Sequence, residues 1–290
     1  AGLIINFTTN APDIKIIYGV KDAVQFPHMP ATGVSGIDLY VIGEKGNWMR
    51  ATGRYSYGDS IQYSFTNLIP GNRQSFKLYL PLYNTVSWLR IGIDTAFSYK
   101  PLPPPHGKPI VVYGTSIAQG ACASRPGMAW TAILGRTLKL PVINLGFSGN
   151  GRLEPAVIQY MNEIDARLYI LDCLPNIADQ SYDRLKQLVT ASVEQIRKAH
   201  PNTPIILTEH LGFGDEHTNA GHAATVVKAN KALQDAYSQL LKNGTVNLTI
   251  LHKQEIALTE NSFVDNIHPN DAGMLQYAEA YRKSIEKIRP

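Results

Sequence analysis

The sequence predicts a two-part α/β protein. Residues 1–100 read as a β-sandwich, 101–108 as a proline-rich linker, and 109–290 as a parallel sheet covered by helices on both faces. Three observations predict this. Short runs of alternating apolar and polar residues fill the first part. A proline cluster follows them. Beyond it, runs that are apolar throughout alternate with segments of helical period.

In the first part, Ile61-Gln62-Tyr63-Ser64-Phe65 and Phe76-Lys77-Leu78-Tyr79-Leu80 alternate, and Trp88–Ile93 is a third such run. Turn signals separate them at Gly43-Glu44-Lys45-Gly46, Gly58-Asp59 and Pro70-Gly71-Asn72. Strands of this kind bury one face of each sheet. The stretch Lys100-Pro101-Leu102-Pro103-Pro104-Pro105-His106-Gly107 is too rich in proline for a helix or a central strand. It reads as an extended, semi-rigid linker.

The second part places apolar runs at Ile110–Tyr113, Val142–Leu145, Leu168–Leu171, Ile205–Leu207 and Leu248–Leu251. Between them Leu185, Leu188, Val189, Val193 and Ile196 share one helical face, as do Met274, Ala278, Tyr281 and Ile285. In open parallel sheets, ligands bind beyond the carboxyl ends of the strands. The chemistry is therefore to be sought there.

Bulk properties narrow the function classes. A hydrophobic content of 44% is enough for a real core. The net charge of +4 is small and scattered, with no basic stripe of the kind nucleic acid requires. No apolar run is long enough to span a bilayer. Ala1–Phe7 lacks the basic start and apolar core of a signal peptide. Because the chain starts at Ala, a removed leader is expected, and with it a periplasmic or secreted protein. The two cysteines, Cys122 and Cys173, read as free buried thiols, although a single bridge is open to them.

Four strand ends carry candidate chemistry. After the first run, Gly114-Thr115-Ser116-Ile117-Ala118-Gln119-Gly120 can hold Ser116 at the start of a helix, where developing negative charge is favoured. After the second, Gly146-Phe147-Ser148-Gly149-Asn150-Gly151 lets the backbone approach an oxyanion, or simply turn tightly. After the third, Asn176 can offer an amide. Before the last helix, Asp265-Asn266-Ile267-His268-Pro269 puts a carboxylate where it can turn back on an imidazole. A carboxylate on one ring nitrogen fixes the tautomer and leaves the other as a base. Together these supply a nucleophile, a base with its orienter, and oxyanion donors. The chain order Ser, Asp, His matches α/β-hydrolases, but the G-x-S-x-G elbow is missing around Ser116.

These four blocks resemble the SGNH (GDSL-type) hydrolase superfamily, whose blocks supply Ser, Gly, Asn and His in that order. The resemblance implies a three-layer α/β/α, flavodoxin-like sheet. It implies Ser116 as nucleophile, His268 as general base and Asp265 as its orienter. The oxyanion hole would be the N–H groups of Ser116 and Gly149 with the side-chain amide of Asn176. Thr115 stands where the family usually has Asp, and Leu174-Pro175-Asn176-Ile177 replaces the usual Gly-x-Asn-Asp. The segment Gly36-Ile37-Asp38-Leu39-Tyr40 is similar to the GxDLY amino-terminal domain of a subset of these hydrolases, many from gut Bacteroidetes. The two-part plan also resembles carbohydrate esterases that join a jelly-roll-like sandwich to such a domain. It implies a serine esterase acting on short acyl groups, chiefly O-acetyl, on a carbohydrate ester.

Neither a metal nor a cofactor is required by this chemistry. The segment holding Glu209, His210, Asp215, Glu216, His217 and His222 is dense in ligand-type residues, but it has no zinc spacing. It reads as a loop at the fourth strand end, with Glu209 or His210 lining a substrate pocket. Arg125 is a further substrate-contact candidate, weighed against a solvated Arg. Trp130 reads as core, and Asp38 and Tyr40 as structural. Tyr55, Tyr57 and Tyr83 are candidate sugar-binding aromatics. The alternatives are a lipid-type esterase or thioesterase and, in another class, a carbohydrate-binding module with an inactive hydrolase domain.

Overall fold

The computed structural model describes residues 1–43, 46–69 and 74–288. The turns expected at Glu44-Lys45 and Pro70-Gly71-Asn72 lie outside the described residues. The chain divides into two compact units. One is Ala1–His106 together with Cys122–Met128, and the other is Gly107–Ala121 with Ala129–Pro290.

The first unit is a sandwich of strands β1 (Ile4–Thr9), β2 (Ile14–Val20), β3 (Asp38–Ile42), β4 (Trp48–Ala51), β5 (Arg54–Ser56), β6 (Ile61–Phe65), β7 (Gln74–Tyr79), β8 (Val86–Gly92) and β9 (Tyr99–Pro101), with one short helix, α1 (Ala31–Val34). One sheet has the order β4-β3-β7-β1-β9 and the other β5-β6-β2-β8. All their pairings are antiparallel. Alternation does what it predicts: Ile61, Tyr63 and Phe65 of β6 are buried and the residues between them less so. They pack with Phe7, Ile16, Tyr18, Leu39, Phe76 and Leu78.

The proline-rich segment expected as a linker over 101–108 begins inside the sandwich. Tyr99–Pro101 pairs with β1, so Lys100 and Pro101 belong to a strand. The strand lies at the sheet edge, where a residue without an N–H breaks no ladder.

The segment Cys122–Met128 packs within this unit, and the GxDLY residues hold it. The Asp38 carboxylate is buried. It accepts from Arg125 at 2.6 Å and from the Gly127 N–H at 3.2 Å. Arg125 also donates to the Tyr40 hydroxyl at 2.8 Å. Asp38 and Tyr40 are thus structural, as expected.

The second unit contains β10 (Ile110–Gly114), α2 (Ser116–Gln119), α3 (Trp130–Leu138), β11 (Val142–Gly146), α4 (Pro155–Met161), β12 (Leu168–Asp172), α5 (Tyr182–Ala199), β13 (Ile205–Thr208), α6 (Ala220–Lys242), β14 (Leu248–Leu251), α7 (Lys253–Ile256) and α8 (Asp271–Ile288). The five strands are parallel in the order β11-β10-β12-β13-β14. This is the flavodoxin-like order 2-1-3-4-5, whose switch point lies between its first and third strands.

One face of the sheet buries Val111, Tyr113, Tyr169, Leu171, Ile205 and Leu207 against α4, α5 and α6. The alternate residues Val112, Ile170 and Ile206 are also fully buried. On their side Trp130 of α3 stacks on Tyr281 of α8 with centroids 4.4 Å apart. Asp172, at the end of β12, accepts from the Tyr277 hydroxyl at 3.0 Å, and Thr208 bonds to Tyr281 at 2.6 Å. Burial pushes the Asp172 carboxyl up to about 7, against the lowering effect of its tyrosine partners. These polar bonds fix the register of α8, and with it the loop that precedes the helix.

Candidate active site

Residues from all five strand ends line one cleft of about 310 Å³. Ser116 and Ile117 follow β10, and Ser148 and Gly149 follow β11. Pro175 and Asn176 follow β12, and His210, Leu211, Gly212 and Phe213 follow β13. Ile267 and His268 follow β14.

Ser116 opens α2. Thr115 caps that helix, its hydroxyl accepting the Ile117 N–H at 3.2 Å. Thr115 can therefore serve where the SGNH resemblance leads one to expect Asp, since both residues cap helices through a side-chain oxygen. The amide of a first helical residue is not used by the helix's own ladder. The Ser116 hydroxyl lies 3.0 Å from His268 Nε2, across 152 residues of chain.

His268 Nδ1 lies 2.8 Å from Asp265 Oδ2. The other carboxylate oxygen accepts the N–H groups of Ile267 at 2.8 Å and His268 at 2.6 Å. Burial raises the pKa of Asp265, but the His268 ring, these two amides and the His268 charge outweigh it and hold the carboxyl below its usual range. An ionised carboxylate at Nδ1 keeps the ring proton there. Nε2 is then an acceptor, facing the hydroxyl.

The loop after β11 needs glycine at two places, for different reasons. Gly151 has φ +68°, and a Cβ there would sit 2.2 Å from the Gly114 carbonyl oxygen. Gly149 has φ +67° with nothing near its absent Cβ. Its N–H has no partner among the described residues. The Gln119 side chain steadies this loop by accepting the Ser148 N–H at 2.9 Å. Asn144, not among the candidates from sequence, braces the nucleophile turn from β11: its amide donates to the Ala118 carbonyl at 2.7 Å and to Thr131 at 2.9 Å. A polar residue inside an otherwise apolar strand was the available signal.

Asn176 lines the cleft, but its amide already donates to the Asn150 carbonyl and, at 3.4 Å, to that of Phe147. It ties the Gly149 loop to the end of β12.

His210 and Glu209 part company. Buried Glu209 faces away from the cleft and accepts from Gln234, from the Lys253 N–H at 2.7 Å, and meets His252 at 2.9 Å. His210 does line the cleft. Its Nδ1 accepts the Gly212 N–H at 3.0 Å, so the ring proton sits on Nε2, which has no partner among the described residues. Burial lowers its pKa to about 4, so the ring is neutral at neutral pH. Phe213 packs between His210 and His222, and His222 pairs with Asp215 at 2.6 Å. Arg125 belongs to the first unit, bonded to Asp38 and Tyr40. Both cysteines are buried and neither forms a disulfide; the Cys122 thiol donates to the His28 carbonyl at 3.4 Å and the Cys173 thiol to the Tyr113 carbonyl at 3.5 Å.

The model of the GDSL-like lipase/acylhydrolase family matches residues 107–286, and that of the N-terminus of SGNH-type esterases (GxDLY) matches residues 1–98. No curated protein is significantly similar to the chain in sequence. Among solved structures, a GDSL-like lipase from Bacteroides ovatus is 35% identical, with a TM-score of 0.92 over 99% of this chain and 85% of its own. A salicylyl-acyltransferase from a tetracycline biosynthetic pathway is 21% identical, with a TM-score of 0.75 over 99% of this chain and 82% of its own. A family two carbohydrate esterase from Clostridium thermocellum, in complex with cellohexaose, is 12% identical, with a TM-score of 0.66 over 99% and 92%. At those lower identities the likeness is one of fold. The serine at the end of the first parallel strand and the Asp-x-x-His before the last helix sit within the matched region, and the chain belongs to the GDSL-like lipase/acylhydrolase family as an SGNH-type ester hydrolase.

Proposed function

We propose that the protein is a serine esterase that removes short acyl groups, chiefly acetyl, from carbohydrate. The observation that carries this reading is the chain of hydrogen bonds from Ser116 through His268 to Asp265. His268 Nε2 takes the hydroxyl proton as Ser116 Oγ attacks the ester carbonyl. The N–H groups of Ser116 and Gly149 hold the oxyanion, and Asn176, whose two amide hydrogens go to the Asn150 and Phe147 carbonyls, keeps the Gly149 loop in place. Protonated His268 returns its proton to the leaving alcohol, and water then releases the acid from the acyl-enzyme. No step calls for a metal or a cofactor.

The cleft volume, about 310 Å³, is at the small end of ligand pockets and suits a short acyl group on one sugar better than a long acyl chain. The neutral His210 Nε2–H offers a fixed donor to an oxygen of the alcohol part. The carbohydrate-esterase likeness points the same way.

The test compares p-nitrophenyl acetate, butyrate and octanoate, with acetate release from acetylated xylan. Turnover efficiency is expected to fall from acetate to octanoate, and xylan is expected to lose acetate. The opposite chain-length order would make the protein a lipid-type esterase, and no turnover at all would leave a binding module. His210→Phe should raise KM for the sugar ester several-fold, the scale of one lost hydrogen bond. An unchanged KM would remove His210 from substrate binding.

A further inference from the structure

The sandwich has a pocket of its own, built wholly from first-unit residues. It has a volume of about 220 Å³ and is lined chiefly by Asp38, Arg50, Tyr55, Tyr63, Phe65 and Arg125. It lies where the edge strands of the two sheets, β4 and β5, succeed one another in the chain.

One wall is cationic. Two guanidinium groups share the single buried carboxylate of Asp38: Arg50 Nε donates to Oδ1 at 3.0 Å and Arg125 donates to Oδ2 at 2.6 Å. With the Gly127 N–H also on Oδ2, the carboxylate is well occupied. The arginines are not. The two terminal nitrogens of Arg50, and Nε with the second terminal nitrogen of Arg125, have no partner among the described residues. Both side chains reach solvent, at 43% and 20% exposure. Asp38 thus holds two planar forks in place and leaves the wall with one net positive charge.

The other wall is aromatic. Tyr55 is 55% exposed and lies 5.3 Å from Tyr63, which stacks in turn on Phe65. An exposed ring on this backing offers a flat apolar surface at small entropic cost.

A ligand that satisfies both walls needs a planar anion for the forks and a compact ring with an apolar face for Tyr55. Guanidinium groups match carboxylates in a bidentate manner. One net positive charge balances one carboxylate, whereas a phosphate monoester carries nearly two negative charges. The volume admits one ring. We infer that this pocket is a second ligand site, which takes a single pyranose ring bearing a carboxylate, with Arg50 and Arg125 on the carboxylate and Tyr55 on the ring face. The site is independent of the hydrolytic reading, because none of its residues lines the cleft of Ser116.

The test is a calorimetric titration of the full chain with methyl glucuronoside and, separately, methyl glucoside. Saturable millimolar binding is expected for the acid and at least about tenfold weaker binding for the neutral sugar. Arg50→Ala, Arg50→Lys and Tyr55→Ala should each weaken binding of the acid about tenfold. All three should leave hydrolysis of p-nitrophenyl acetate unchanged, which also reports that they fold. Absence of saturable binding, equal affinity for the two sugars, or binding that survives these substitutions would overturn the proposal. Should a variant fail to fold, the comparison of the two sugars on the unsubstituted protein decides.

Discussion

Ser116→Ala is expected to lower kcat for p-nitrophenyl acetate by about 10⁴- to 10⁶-fold, the scale seen when the nucleophile of a serine triad is removed. The exchange deletes one hydroxyl, and His268 Nε2 loses the Oγ it faces at 3.0 Å. No cavity of consequence forms, and Asp265 still orients the ring, so the melting temperature should stay near that of the parent. What activity remains should come from the oxyanion donors and from substrate positioning, which do not need the hydroxyl. His268→Ala should cost a comparable factor, and the double variant little more than either single one, because nucleophile and base act as one unit. Additive losses in the double variant would show two groups working separately. Retention of a tenth or more of the activity by Ser116→Ala would reassign the nucleophile.

What the sequence revealed of this site follows from how local each signal is. Asp265 and His268 are three residues apart and sit before Pro269, so their pairing is written within one turn of chain. The three central parallel strands, β10, β12 and β13, are buried on both faces and therefore read as plain apolar runs, while the edge strands β11 and β14 are only partly buried. The faces of α5 and α8 are periodic, and Val189, Val193, Tyr281 and Ile285 are buried as that periodicity requires. Other features depend on partners far off in sequence. Arg125 follows the nucleophile by nine residues, yet its carboxylate partner is 87 residues away and belongs to the sandwich. Glu209 stands beside His210 just past the end of β13, yet the two side chains meet different partners. Glu209 then meets the start of α7, and His210 meets the cleft. Asn176 was expected to point at an oxyanion. Its amide instead found carbonyl groups on the loop after β11, a contact set by the packing of two strand ends. Pro101 argued for a linker, and only its place at a sheet edge makes it a strand residue.

Asp265→Asn is expected to cost about 10⁴-fold in kcat, as the same exchange does in a serine-protease triad, with KM little changed. The structure gives the reason. Oδ1 of Asp265 accepts two backbone N–H groups, from Ile267 and His268. An asparagine at this position must keep its carbonyl oxygen there, since turning the amide round would set its NH₂ against both donors. Its nitrogen therefore faces His268 Nδ1, where the carboxylate oxygen was 2.8 Å away. An amide N–H there needs an acceptor, so the ring proton moves to Nε2, and the nitrogen 3.0 Å from Ser116 Oγ becomes a donor. It can then no longer take the hydroxyl proton. Asp265→Ala lacks that enforced tautomer and leaves the ring free to sample both, at the cost of the two backbone bonds. Asn is therefore expected to be at least as damaging to kcat as Ala, while Ala should lower the melting temperature more. If the Asn variant kept most of the parent turnover, the carboxylate would not be what sets the His268 tautomer. If Ala alone were slow, its role would be to hold the loop rather than the proton.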